Sequence, residues 1–365
     1  MVTSAGQGQL RGGSAALGEV PRSVAGAISL KGQSLDLLRI EPYVTAQRLS
    51  LPELCSEYEG VGLEDIFVLS IETTDYGQCV HLIDRIQPFF TRVATPGEVE
   101  ETVLAELRLL NRVGPWTEGR MRRTGITTTD DLFGHQRYGE AAARIRALLD
   151  QRSLPELHAL IRQHMHGAGH HLGVQLAGLV QQESLVMFDL ETLGLQQAPV
   201  FLFGLAFVSG VTLEVHQFLA RGGHEELAAL TCALEMLGQA QGVVTFNGST
   251  ADIPWFKQRL AFYRAGRFPE ILHLDLRYPA ARRYQQRATS GTPLPDIRLQ
   301  TLEKSVLGMK REMVDVPSAA VPDYYKHYER RHNIGPLVPI IDHNRADLVA
   351  VALLLERLKE IPEAW

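Results

Sequence analysis

Residues 185–192 read Leu185-Val186-Met187-Phe188-Asp189-Leu190-Glu191-Thr192. A short apolar run of this kind fits a strand buried on both faces, and it leads straight into two acids. Along a strand the side chains at i and i+2 share a face, so Asp189 and Glu191 present two carboxylates together. Such a pair repels itself unless it is protonated or neutralised, and hard divalent cations are the usual remedy. Strand ends often carry solvated acids, so the pair alone is weak evidence. An acid that directly follows an apolar core strand says more.

Downstream of this stretch the element order is legible. Val200 to Val208 and Val211 to Leu219 read as a second and a third strand, joined at Ser209-Gly210 in hairpin fashion. Glu225 to Leu237 has helical periodicity, Val243-Val244-Thr245-Phe246 is a fourth strand, Trp255 to Tyr263 a helix and Ile271 to Leu276 a fifth strand. Irregular and helical segments fill 296–333, and a final helix is predicted from His343 to Leu358 with Asp342 as its N-cap. Three antiparallel strands followed by alternating helices and strands make an α/β domain, a mixed five-stranded sheet with helices on both faces. That succession matches the ribonuclease H-like fold.

Upstream lies a smaller α+β region. Residues 1–25 are rich in Gly, Ser and Ala without periodicity and read as a disordered tail. Residues 26–95 are predicted to hold a small β-containing module, with strands at Ile66 to Ile71 and Cys79 to Ile83. Residues 96–163 read as helical, 164–180 as a connector rich in Gly and His, and 181–365 as the α/β domain. His164, His166, His170 and His171 have no interleaved Cys or acid, so a flexible loop is expected there rather than a metal site.

Acids recur at the ends of separate elements. Asp252 follows the fourth strand and Asp347 lies in the last helix, and the fold would bring both to Asp189 and Glu191. Four stretches carry a resemblance: Phe188-Asp189-Leu190-Glu191-Thr192; Phe246-Asn247-Gly248 running into Asp252-Ile253-Pro254; His273-Leu274-Asp275-Leu276; and His343-Asn344-Arg345-Ala346-Asp347. Leu302-Glu303 with Leu307-Gly308 adds to them. On these residues, 184–358 resemble the YprB-like ribonuclease H-fold nucleases, relatives of the DEDD 3′-5′ exonucleases. The resemblance implies that Asp189, Glu191, Asp252 and Asp347 hold two Mg²⁺ or Mn²⁺ ions. It also implies that His343 orients or deprotonates the attacking water, in hydrolysis of a phosphodiester. Asp189 would bridge the ions, Glu191 and Asp347 would serve the water side, and Asp252 the leaving-group side. In the histidine branch of that family the His precedes the last Asp by five residues and in the tyrosine branch a Tyr precedes it by four; here His343 precedes Asp347 by four, which still sets both on one helical face. A capping histidine without a catalytic part is the alternative for His343. Asp275 is expected to support the site or cap the segment after its strand rather than bind metal.

Composition is compatible with this chemistry. The 365 residues are 45% hydrophobic and 21% charged, a balance that excludes a wholly disordered chain. The net charge of −6 is unevenly spread: residues 51–106 hold 12 acids against 2 bases, and 253–332 hold 15 bases against 8 acids. In the basic part Arg282, Arg283, Lys310 and Arg311, with Arg277, Arg287 and Lys304, are candidates for substrate phosphates, and Asn247 for a hydrogen bond to substrate. Leu110 to Thr117 followed by Thr124 to Leu132 resembles a helix-hairpin-helix element, which implies backbone contact to DNA phosphate; a plain turn between packed helices is the alternative. No apolar stretch is long enough to span a membrane, no secretory signal is visible, and Cys55, Cys79 and Cys232 make no disulfide framework. A cytoplasmic exonuclease on single-stranded or frayed DNA is the expectation. The alternatives are an endonuclease or RNA-directed enzyme on the same site, or a non-catalytic nucleic-acid-binding module.

Overall fold

The computed structural model describes residues 28–30, 50–91, 95–165, 167–194, 198–286, 293–311 and 316–360. Its strands are β1 (Ile28–Leu30), β2 (Leu69–Thr74), β3 (Gly77–Ile86), β4 (Leu185–Thr192), β5 (Val200–Ser209), β6 (Thr212–Leu219), β7 (Gly242–Thr245), β8 (Leu272–Asp275) and β9 (Met309–Arg311). Among the described residues seven of them form one sheet in the order β2-β3-β6-β5-β4-β7-β8, and β1 pairs antiparallel with β9. Residues 1–25, expected to be a tail, and Arg287 lie outside the described residues.

β4 sits inside the sheet, antiparallel to β5 on one side and parallel to β7 on the other. This is why its apolar residues are buried on both faces. Phe188 and Leu190 pack with Phe256, whose ring meets that of Phe188 edge-on at 5.4 Å. Met187 faces the opposite core, shared with Leu348, Ala352 and Leu355 of the helix Val338–Lys359. By the period of two, Asp189 and Glu191 lie on that second face, under the last helix.

The sheet has seven strands where five were expected. The hairpin β2-β3 joins it because β3 pairs antiparallel with β6, from Val80 opposite Leu219 to Ile86 opposite Leu213. Without β3, the long edge of β6 would present its backbone N–H and C=O groups unpaired. The alternation of Val80 and Leu82 with Cys79 and His81 marks a strand, but its partner lies more than a hundred residues away. Ile66 closes a short helix, Leu63–Ile66, and β2 starts only at Leu69.

The last helix begins at Val338, with Leu337 as its N-cap and Pro339 in its first turn. Asp342 and His343 are therefore interior helical residues, and neither caps it. A proline is tolerated in the first turn because the N–H it lacks has no intrahelical partner there. Likewise the connector is not loose: His171–Gln175 is helical, with the Nδ1 of His170 accepting from Leu172 N–H at 3.3 Å, and Leu172, Val174, Leu176 and Leu179 are buried. His166 lies outside the described residues. Among the described residues no helix is long and apolar enough to cross a membrane.

A fragment that begins at Gln181 would strip β3 from β6 and uncover the surface that Val80, Leu82 and Ile86 now bury. At about 1.5–3 kcal/mol for each side chain, such a fragment should melt about 10 °C or more below a chain that begins at Ser50. Circular dichroism melts with size-exclusion chromatography check this, and equal melting of two monomeric fragments would show that the hairpin adds nothing to the sheet.

Candidate active site

Local sequence places each acid for its own reason. Asp189 and Glu191 end the buried part of β4, opposite Gly204 and Leu202 of β5. The last β4–β7 pairs are Met187 with Val244 and its neighbours toward the strand starts, so the sheet splays beyond them. In that opening the loop after β7 turns at Asn247, whose φ of 66° is one that Asn tolerates well, and Gly248. A Cβ on Gly248 would stand 2.4 Å from Thr245 Oγ1. The loop then enters the helix Asp252–Tyr263, with Asp252 as its first residue.

Asp275 holds this loop. Its carboxylate accepts from the N–H groups of Asn247 at 2.8 Å, Ser249 at 3.0 Å and Arg277 at 3.1 Å, so it positions the approach to Asp252. Asn247 itself accepts from Thr250 Oγ1 through its side-chain oxygen at 3.1 Å. His273 is tied to Thr245 Oγ1 at 2.9 Å, and burial lowers its pKa to about 4.

Asp252 is buried, and the backbone N–H groups of Asp252 itself and of Leu190, which lies between the two β4 acids, hold its pKa down against that burial. Burial raises Asp252 to about 7. Glu191 rises to about 8, first through burial and then through Asp347 and Asp252, against the lowering pull of His343 and Arg311. Asp189 is pushed well above the carboxylate range by burial and by Asp252, Asp347 and Glu191 in turn. Asp347 therefore acts on each of the other three predicted acids. Three chain segments far apart in sequence bring them together.

Residues 186–359 match the family model RNase_H_2, of the RNase_H superfamily. No curated protein matches the chain. The matched span runs from β4 to the end of the last helix, so it contains every acid of the cluster and excludes the β2-β3 hairpin. A ribonuclease H-like domain suggests nuclease activity and a nucleic-acid substrate.

In this domain the last helix faces the acids with three residues. His343 Nε2 stands 3.7 Å from Asp347 Oδ2, the i, i+4 pairing expected on one face. Arg311 donates to Asp347, and through Nη1 to His343 Nδ1 at 3.0 Å. A guanidinium only donates, so Nδ1 accepts and the neutral ring carries its proton on Nε2. Between them Asn344, fully buried, donates from Nδ2 to Asp189 Oδ2 at 2.8 Å. Gln217 of β6 donates to Asn344 Oδ1 and to Ile341 O, both at 2.8 Å, which fixes the amide's orientation.

Asn344, Gln217 and Gly204 are functional positions that the sequence reading missed. A Cβ on Gly204 would lie 2.2 Å from Asn344 Oδ1, so only glycine lets the amide reach Asp189 across β5. The available signal was a glycine inside an otherwise apolar strand, which marks a close approach of another group.

The predicted basic residues go to different places. Arg311 is a side chain only 11% exposed within the acid cluster. Arg283 donates to the carbonyls of Arg357 and Glu360, at the end of the last helix. Arg282 lies half-buried near His171, and Lys310 is on β9 opposite Ser29. Of the hairpin-like element, Gly114 caps the helix Pro115–Arg123, Arg112 adopts a left-handed φ of 62°, and Trp116 is 70% exposed beneath Arg120.

Hard carboxylate oxygens that burial keeps from ionising cheaply are the donor set of Mg²⁺ or Mn²⁺. Among the described residues, however, no three His, Cys, Asp or Glu side chains stand ready to grip an ion. The acids fit the ions by chemistry and charge.

The cluster ties stability to pH and to metal. Glu191 and Asp252 hold protons in the fold at pH values where the unfolded chain, near 4.5 and 3.8, has lost them. Their stabilisation is thus full below about pH 4 and lost as pH rises through about 7–8; in EDTA the melting temperature should fall across this window, and saturating Mn²⁺ should flatten the fall. A melt independent of pH and of Mn²⁺ would contradict the cluster. Gly204→Ala should lower stability by about 1–3 kcal/mol in denaturant titrations through overpacking against Asn344.

Proposed function

We propose that the chain is a divalent-metal-dependent nuclease that hydrolyses phosphodiester bonds, a YprB-like relative of the DEDD enzymes acting as a 3′-5′ exonuclease on single-stranded or frayed DNA. The observation that carries the reading is the meeting of Asp189, Glu191, Asp252 and Asp347 at the end of β4 beneath the last helix, where Asp347 raises the pKa of each of the other three. Polarity and the choice of DNA over RNA rest on the resemblance of the motifs.

Asp189, Glu191, Asp252 and Asp347 would hold two Mg²⁺ or Mn²⁺ ions, with Asp189 central among them. The ions supply Lewis-acid activation of water and stabilisation of the leaving 3′ oxygen. Asn344 orients the Asp189 carboxylate, and Asp275 orients the loop that delivers Asp252. With its proton on Nε2, His343 orients the attacking water by donating to it rather than by taking its proton. Asn247, Arg282 and Lys310 are proposed to meet the substrate, and the turn at Arg112 to Gly114 offers a further phosphate contact in the N-terminal half.

End-labelled single-stranded DNA and RNA, incubated with Mg²⁺, Mn²⁺ or EDTA, test the assignment. Asp189→Asn should lose cleavage by about 10³-fold or more with the fold and nucleic-acid binding intact; cleavage at near wild-type rate would remove the site from consideration. His343→Ala should lose about 10²-fold, and His343→Gln, which keeps a donor, should retain more. Equal loss in both variants would instead make His343 a proton acceptor.

A further inference from the structure

Glu303 and Arg311 reach the acid cluster from outside it. Glu303 opens a π-helical turn, Glu303–Leu307, that ends at Gly308 with a left-handed φ of 67°. The chain then reverses into β9 and brings Arg311 back over Glu303. Glu303 is 1% exposed, and burial raises its pKa, opposed by Arg311. A carboxylate so desolvated needs a fixed cation. Arg311 meets it with two nitrogens: Nε donates to Oε2 at 2.7 Å, and Nη2 donates to Oε1.

The same guanidinium has capacity left over. Nη2 also donates to Asp347 Oδ1, and Nη1 to His343 Nδ1. One side chain thus bridges an acid outside the cluster and the two last-helix residues inside it. It is anchored by the former, so it can release Asp347 and keep Glu303.

We propose that Arg311, anchored by Glu303, is a resident counter-ion of the carboxylate site, and that a divalent ion must displace it from Asp347 before Asp347 can become a ligand. This rests on the two-ion reading above. Asp347 Oδ1 cannot give the same lone pairs to a guanidinium and to an ion. A fixed positive charge at hydrogen-bond distance from a ligand also opposes a dication electrostatically. This competition gives the segment Leu302-Glu303 to Leu307-Gly308, left without a role by the four acids, a function: it fixes the arginine. The device would hold the acids together before loading and set a threshold of ion concentration for activity.

Isothermal titration of the full chain with Mn²⁺, with melts in EDTA, tests this without any assay of cleavage. Arg311→Gln should bind Mn²⁺ about tenfold or more tightly than wild type while melting at a lower temperature in EDTA. Because that change orphans a buried Glu303, the double variant Glu303→Gln with Arg311→Gln is the second arm. It should show the same tightening with much of the melting temperature restored. Unchanged or weaker Mn²⁺ binding in the double variant, with wild type binding normally, overturns the counter-ion and leaves the two-ion reading standing. A wild type that takes up no Mn²⁺ overturns the two-ion reading and the counter-ion with it.

Discussion

A carboxylate removed from water needs compensation close by, and Asp189 finds it in Asn344. That single hydrogen bond imposes demands in every direction. Asn344 must be buried in the last helix, its amide must be fixed by Gln217, and β5 must carry no side chain where the amide crosses it. A strand, a glycine and a helix from three parts of the chain are shaped by one polar contact, because an unsatisfied group in that position is far more costly than the bond is worth in water. The acids around Asp189 then add repulsion to desolvation, and the site stores an electrostatic tension that protons or cations can relieve.

One fixed cation relieves that tension, and a second secures the helix that carries Asp347. Arg311 lies over Asp347 and is itself secured by Glu303. On the flank turned to the hairpin, Arg345 pairs with Asp342 at 3.4 Å and donates to Asp84 of β3 at 2.7 Å, and burial raises Asp342 to about 6 despite that arginine. The last helix carries His343, Asn344, Arg345 and Asp347 within five consecutive positions, so its placement determines the whole site. By pairing with Asp84 it is referenced to the N-terminal hairpin, although the family match begins only at residue 186. The hairpin therefore takes part in the geometry of a domain to which its sequence gives no sign of belonging.

Much of the half that the RNase_H_2 model matches was legible in one dimension. Val200 to Val208 and Val211 to Leu219 differ from β5 and β6 by a residue or so, because apolar runs and a Ser-Gly turn are local signals. The last helix was read short by five residues because Asp342 resembles an N-cap, whereas the helix already starts at Val338 and tolerates Pro339 in its first turn. The connector was read as loose because Gly and His dominate its start, while the apolar residues after them bury it. Arg311 was read as a candidate contact to substrate phosphate, since nothing local shows that a residue eight positions earlier is buried and paired with it.

By itself the sequence determined the alternation and the order: the strands and helices from β4 to β8, that Asp189 and Glu191 share a face, and that His343 and Asp347 share another. These come from the periods of two and 3.6 residues, which depend only on neighbours along the chain. The tertiary structure alone decided that β3 closes the edge of β6, that Gly204 opens a path for Asn344, and that Arg311 answers both Glu303 and Asp347. Those are meetings between residues that local periodicity does not connect. Their energies come from desolvation, charge and close packing, which arise only when separate segments exclude water from the space between them.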